Sequence, residues 1–142
     1  MVEGLADGTI DTLATDHAPH TCEEKALPLD LAPFGIVGLE TAVGLTFTYL
    51  VEAGVLSIPQ TVDRWSAAPA RIFGLPGGRL GPGDPGDVTI IDPSITWRVD
   101  SGNFKSKSKN TPFDGFELTG QAVATVVGGC AVHTHASIRA KR

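Results

Sequence analysis

Thr15-Asp16-His17-Ala18-Pro19-His20 closes an apolar run, and after a short gap comes Ala32-Pro33-Phe34-Gly35-Ile36-Val37-Gly38-Leu39-Glu40-Thr41. The preceding Gly8-Thr9-Ile10-Asp11-Thr12-Leu13-Ala14 reads as a short strand opened by glycine. Side chains two apart share a strand face, so Thr12, Ala14 and Asp16 are expected on one side and Leu13 and Thr15 on the other. A face of small residues ending in a carboxylate suits the inside of a (β/α) barrel at its C-terminal rim, where that fold keeps its reacting groups. Pro19 then stops the strand and turns the chain.

Downstream, the polar segment His17 to Pro33 is longer than most connections, a length typical of lids and linkers. From Ile36 to Ala53, Ile36, Leu39, Val43, Phe47 and Leu50 recur at helical spacing, which predicts an amphipathic helix ended by Gly54 and packed outside the sheet. Ser57-Ile58-Pro59-Gln60 is a helix start, with Ser57 as N-cap and Gln60 at the capping-box position. That helix runs to about Ala67, ends or restarts at Pro69, and closes through Ala70-Arg71-Ile72-Phe73 at Gly74.

Glycine and proline dominate from Pro76 to Gly86 and mark a boundary. Beyond it, short strands are expected at 88–91, 95–99, 116–118, 122–127 and 131–134, with turns at Asp92-Pro93 and Gly128-Gly129. One strand, two helices and then several strands make a lopsided order. A complete barrel typically needs about 250 residues, so the first half reads as the end of a larger α/β unit that begins before this chain does.

Composition narrows the function classes. The chain has 142 residues, 42% of them hydrophobic, enough for a core. Eleven basic against 16 acidic residues give a net charge of -5, which offers no general attraction to nucleic acid or to an anionic membrane. The apolar stretch from Ile36 to Leu56 is broken by Gly38, Glu40, Gly44, Glu52 and Gly54 and does not qualify as a membrane span. Met1-Val2-Glu3-Gly4 has no apolar core of a secretory signal, and no period of 20 to 50 residues repeats. Cys22 and Cys130 form neither a disulfide framework nor a C-x-x-C site, so a reducing, cytoplasmic location is expected.

With these motifs in place, the chain resembles the C-terminal portion of a class I dihydroorotase of the amidohydrolase superfamily. The resemblance rests on Asp7-Gly8-Thr9-Ile10-Asp11, the Thr15-to-His20 run, the Glu23-Glu24-Lys25 loop, Ala32-Pro33-Phe34-Gly35, Ser106-Lys107-Ser108-Lys109-Asn110-Thr111-Pro112-Phe113 and Val126-Val127-Gly128-Gly129. Gly78-Arg79-Leu80 with Gly86-Asp87-Val88-Thr89-Ile90-Ile91-Asp92 is less specific and is similar to hydantoinases and allantoinases too.

The resemblance implies an α/β fold: residues 1–75 the last strand and outer helices of a metal-dependent (β/α) barrel, residues 76–142 a β-sandwich segment. It implies reversible hydrolysis of dihydroorotate to N-carbamoyl-aspartate in pyrimidine synthesis, with zinc lowering the pKa of water to supply hydroxide. Asp16 is then both metal ligand and proton shuttle, His20 binds the substrate carboxylate, and the backbone of Phe34 and Gly35 contacts the ring. Most zinc ligands, including the superfamily's His-x-His, are expected upstream of this chain, which predicts that the chain alone is inactive. Alternatives are a non-catalytic scaffold for an aspartate transcarbamoylase, a homo-oligomer formed through the unpaired Asp16 strand, or a hydantoinase- or allantoinase-type amidase. In such a chain the first 50 or so residues are expected to be the less ordered part and the C-terminal strands the better ordered.

Plainer readings stand beside these. An aspartate after a strand is commonly a turn-former, and His17 is equally suited to a hydrogen bond within its loop. His133-x-His135, next to the basic tail Arg139-Ala140-Lys141-Arg142, reads as surface, since two histidines leave a zinc site incomplete. Cys22 has no activating neighbour in sequence, Lys105, Lys107 and Lys109 read as a solvated segment, and Trp65 and Trp97 as packing residues.

Overall fold

The computed structural model describes residues 1–139; Ala140, Lys141 and Arg142 of the basic tail lie outside the described residues. The sheet is built first by β1 (Val88–Arg98), β2 (Glu117–Val127) and β3 (Cys130–Thr134), joined in the order β1-β2-β3 with both pairings antiparallel. The expected strands 88–91 and 95–99 are one strand. Asp92-Pro93 does not reverse the chain, because Ser94 donates both its N–H and its hydroxyl to Asp92 Oδ1, at 2.9 and 2.7 Å, and folds the extra residues into a bulge. Opposite that bulge Gly120 has φ +87°, and a Cβ there would lie 2.7 Å from Phe47 Cβ. Likewise 116–118 and 122–127 merge into β2, while Gly128-Gly129 does form the β2–β3 turn. Among the described residues there is thus one open sheet of three strands, not two sheets packed as a sandwich.

One face of this sheet carries the predicted amphipathic helix, shorter at its start than the periodicity suggests. It comprises α3 (Ala42–Thr46) and a π-helical turn, Phe47–Val51, with Gly54 beyond its end at φ +69°. Ile36 is withheld from it by a parallel bridge to His17. A Cβ on Gly44 would come within 3.0 Å of Leu118 Cβ and Trp97 Cζ2, so the helix lies directly on β1 and β2. Thr48 Oγ1 accepts the Thr119 N–H at 2.8 Å, and the Trp97 indole donates to the Gly120 carbonyl at 3.0 Å. Both tryptophans pack as expected, Trp65 Nε1 donating to Thr46 Oγ1 at 3.1 Å.

The second helix starts where the sequence places it. Ser57 and Gln60 form the capping box of α4 (Ile58–Val62), which continues through a π-helical turn, Asp63–Ala67, into α5 (Ala68–Phe73) and a left-handed Gly74. Pro69 neither ends nor interrupts it; it stands where the π-helical turn passes into α5, so the i→i−4 bond a proline lacks falls at the change of helical register. Buried apolar residues are few: Leu5 from α1 (Val2–Ala6), Val37, Phe47, Leu56, Ala68, Val99, Leu118 and Val123. Among the described residues no helix is long and apolar enough to cross a membrane.

The strand expected over 8–14 does not form. A strand exists through its ladder, and here the segment's cross-chain bonds are isolated ones, such as Leu13 N–H to the Arg64 carbonyl at 3.0 Å. The long polar loop is also more ordered than its composition suggests. Thr21 and Glu24 make a reciprocal capping box for the short α2 (Cys22–Lys25), and Lys25 Nζ donates to the Pro33 and Gly35 carbonyls at 2.9 and 3.1 Å.

Candidate functional site

Asp16 is the one non-glycine residue with positive φ, 45°, among those described. That conformation is sparsely populated for side-chain-bearing residues, aspartate being among the more tolerant. Its effect is to end the extended run and turn the carboxylate into solvent, where it has no hydrogen-bond or ion-pair partner among the described residues. Much of the loop that follows is tied down by hydrogen bonds, although Glu23 and Asp30 are, like Asp16, exposed and unpaired among the described residues.

Just past Asp16 the chain runs parallel to residues 35–38. Ala18 N–H donates to the Ile36 carbonyl at 2.9 Å, and the Gly38 N–H donates to His17 Nδ1 at 3.1 Å. An Nδ1 that accepts from an amide puts the ring proton on Nε2, so His17 is the loop-stapling histidine of the plainer reading. Gly35 has φ +106°, and a Cβ on it would fall 2.4 Å from Ala18 Cβ and 3.7 Å from His20 Nε2. Glycine is required there on both counts.

His20 therefore faces Gly35 with one ring nitrogen while the other, Nδ1, lies 3.5 Å from Glu24 Oε2. The Thr21 N–H, donating to Glu24, holds that carboxyl below its ordinary range, with His20 adding a smaller pull. A charged carboxylate beside the imidazole fixes its orientation. The structure thus brings His20 and Gly35 together, leaves Asp16 at the entrance of the loop, and exposes 93% of the Phe34 side chain and backbone surface.

Three residues that shape this loop are not apparent as individual site residues in the sequence. Asn110 Nδ2 donates to the carbonyls of Ala18 and Gly35 at 3.0 and 3.2 Å, its Oδ1 accepts the His20 N–H at 3.3 Å, and its own carbonyl accepts the Val37 N–H at 3.1 Å. Ser108 Oγ sits between the His20 carbonyl and Asn110 Oδ1, and Lys25 closes the other side. The available signal was the Lys-Ser-Lys-Asn-Thr-Pro-Phe run, whose composition reads as a solvated connection. Lys109 departs from that reading: its Nζ donates to the Phe104 and Ser106 carbonyls at 2.6 and 3.1 Å, while Lys105 and Lys107 are exposed. Ser106 is held by Glu40, to which it donates its N–H at 2.7 Å and its hydroxyl at 2.8 Å.

As a metal ligand Asp16 fits in part. An exposed, unpaired carboxylate can coordinate zinc, yet a catalytic zinc ordinarily takes three protein ligands, and among the described residues no three His, Cys, Asp or Glu side chains group together. His133 is exposed and His135 Nδ1 is engaged with Ser137 Oγ at 2.9 Å. Cys22 and Cys130 are free and exposed. A separate open cleft of about 470 Å³ lies between α3 and the sheet, bordered by Trp97, Arg98, Lys105 and His133, and none of the predicted site residues lines it.

Backbone comparison defines the class. The chain superposes on the L-hydantoinase (dihydropyrimidinase) of Arthrobacter aurescens with a TM-score of 0.87 at 37% identity, covering 94% of this chain and 31% of that one. A D-hydantoinase (dihydropyrimidinase) from Thermus sp. gives 0.86 at 32% identity, covering 94% of this chain and 30% of that one. In backbone the chain is similar to these hydantoinases of the amidohydrolase superfamily.

Within it, the sequence is dihydroorotase-like. Identity is 58% over 137 residues with the dihydroorotase of Pelotomaculum thermopropionicum, 96% of this chain and 32% of that protein. It is 52% over 132 residues with that of Bacillus caldolyticus, 93% of this chain and 31% of that protein. The chain spans about a third of the length of these relatives. No protein-family model matches it.

Proposed function

We propose that this chain supplies the proton-shuttling and substrate-carboxylate corner of a dihydroorotase-type cyclic amidase. Residues 1–75 form the end of its metal-dependent (β/α) barrel and residues 76–142 its small β-domain. The observation that carries the reading is Asp16: the one non-glycine residue at positive φ, 45°, among those described, exposed and without a hydrogen-bond or ion-pair partner there. Strain kept at a polar loop is the kind of outlier that function explains.

In hydrolysis, Asp16 takes a proton from the attacking water, oxygen bonds to the ring carbonyl carbon, the carbon–nitrogen bond breaks, and Asp16 returns the proton to the departing nitrogen. What zinc supplies when bound is a lowered pKa of water, so that hydroxide is available near neutral pH. Asp16 is the ligand this chain offers. His20, oriented by Glu24, presents its other nitrogen toward the substrate carboxylate beside Gly35, and the Phe34–Gly35 backbone borders the ring. The many exposed apolar side chains around this loop, Leu29 at 91% and Phe34 at 93% among them, are consistent with further protein packing there.

The test is a graft: this chain replaces the matching segment of the Bacillus caldolyticus dihydroorotase, to which it is 52% identical over 132 residues. The chimera is expected to hydrolyse dihydroorotate, and Asp16→Asn to lower kcat by roughly 10²- to 10⁴-fold. The 142-residue chain alone is expected to show no turnover with added zinc. A chimera inactive beside an active parent, or an Asp16→Asn chimera of undiminished kcat, refutes the proposal. The hydantoinase superpositions favour a second reading, and a chimera that turns over hydantoin faster than dihydroorotate would establish it. Partnership with an aspartate transcarbamoylase or a second copy, and a cytoplasmic setting that keeps Cys22 and Cys130 reduced, complete the proposal; co-purification tests the former.

A further inference from the structure

Asn110 lies between β1 and β2, far in sequence from the loop it touches, with separations of 75 to 92 residues to its carboxamide's backbone partners in that loop. A carboxamide has two donors and two acceptor sites; here both donors and one acceptor site are used, and the Ser108 hydroxyl, which also reaches the His20 carbonyl, stands at the other. The nitrogen end faces two carbonyls, Ala18 and Gly35; the oxygen end faces the His20 N–H and the Ser108 hydroxyl. This partition fixes which end of the side chain is which. It also excludes substitutes: aspartate has no donors for the two carbonyls, and leucine has neither donors nor acceptors.

The four loop groups gripped by this one residue, counting Val37 through its main chain, come from both limbs of the loop. Ala18 and His20 flank Pro19 on the first limb, Gly35 and Val37 lie on the second, and the missing Cβ of Gly35 lets the limbs touch. Behind Asn110 the connection is itself anchored, through Ser106 to Glu40 and through Lys109 to two carbonyls of its own turn. We propose that Asn110 is the positioning residue that sets His20 and the Phe34–Gly35 backbone in register for substrate, so that the β-domain connection determines how tightly the loop binds it. This rests on the dihydroorotase-type reading above. Asn110 touches no reacting atom; it acts through His20 and Gly35.

Two measurements test it. On the 142-residue chain, Asn110→Ala is expected to speed amide exchange at His20 at least about tenfold, while the β1–β2 ladder amides, Leu118 and Ala124 among them, keep their rates. In the chimera, Asn110→Ala and Asn110→Asp are both expected to raise KM for dihydroorotate roughly 10- to 100-fold with kcat within about threefold, the signature of lost ground-state binding. A general folding defect would instead lower the active fraction, and so apparent kcat, at unchanged KM. Unchanged His20 exchange overturns the clamp. Unchanged KM in an active chimera overturns the substrate role. A chimera inactive with Asn110 intact refutes the proposed function itself, and the substrate role with it, while exchange on the chain still decides the clamp.

Discussion

Gly35→Ala is the sharpest probe of the loop, because two separate costs meet at one atom. The new Cβ would sit 2.4 Å from Ala18 Cβ, well inside any real carbon–carbon contact, on a backbone at φ +106° that side chains rarely adopt. The backbone part costs about 1–3 kcal/mol and the forced contact about another 1–3 kcal/mol, so the sum is about 2–6 kcal/mol. Ala18→Gly removes the contact but not the φ strain, at a cost of about 0.5–1 kcal/mol for the added chain freedom. A double-mutant cycle therefore separates the two, with an expected coupling of about 1–3 kcal/mol in favour of the double variant. The readout is hydrogen exchange at the Ala18 amide, whose N–H donates to the Ile36 carbonyl at 2.9 Å and reports directly on closure of the two limbs. Gly35→Ala should accelerate it, and the effect of Ala18→Gly on exchange should differ between the natural and the Gly35→Ala backgrounds by about 5- to 150-fold, the equivalent of that coupling. If Ala18→Gly changes exchange by the same factor in both backgrounds, the limbs do not touch as described and the account of His20's surroundings falls with them.

Two further perturbations act on the frame around the loop. Burial raises the Glu40 carboxyl, but the N–H and hydroxyl of Ser106, donating to it, outweigh that and hold it below its ordinary value of 4.5. A depressed acid stabilises the fold fully above its unfolded pKa and loses that contribution as pH falls through the folded one. Urea midpoints measured downward from about pH 6 should therefore fall below about pH 4.5 in the natural chain and fall less steeply in Glu40→Gln, which keeps an acceptor but no charge. Equal pH slopes would dissociate Glu40 from the anchoring of Ser106. Gly120→Ala should cost about 2–5 kcal/mol, from positive φ and a 2.7 Å approach to Phe47. Gly83→Ala, at φ +89° with nothing within 4 Å, should cost only about 1–2 kcal/mol; similar urea midpoints for the two would mean that α3 does not press on the sheet at Gly120.

What the sequence makes legible here is whatever is decided within one turn or one strand. Ser57 and Gln60 cap α4 because both partners lie within four residues, and Gly128-Gly129 reverses β2 into β3 for the same reason. Asp92-Pro93 carries equally strong turn chemistry and yet sits inside a strand, because the cross-strand partners on either side continue past it and Gly120 opposite can adopt the positive φ that absorbs the extra residues. The strand expected before Asp16 fails for the complementary reason: its alternation is right, but pairing is not a local property. The candidate site divides the same way. Asp16, His20 and Gly35 are legible by type and motif, whereas the groups that give His20 and Gly35 a geometry come from Asn110 and Ser108, 75 to 90 residues away in sequence and reading as ordinary polar surface. The Asn110 carboxamide and Ser108 hydroxyl are fixed by hydrogen bonds to each other and to the loop, a constraint that appears once the chain is folded. On the proposed function, the reacting carboxylate lies in the first limb and the register of the two limbs is set by the connection between β1 and β2, so variants that loosen substrate without touching Asp16 should cluster between Ser106 and Asn110.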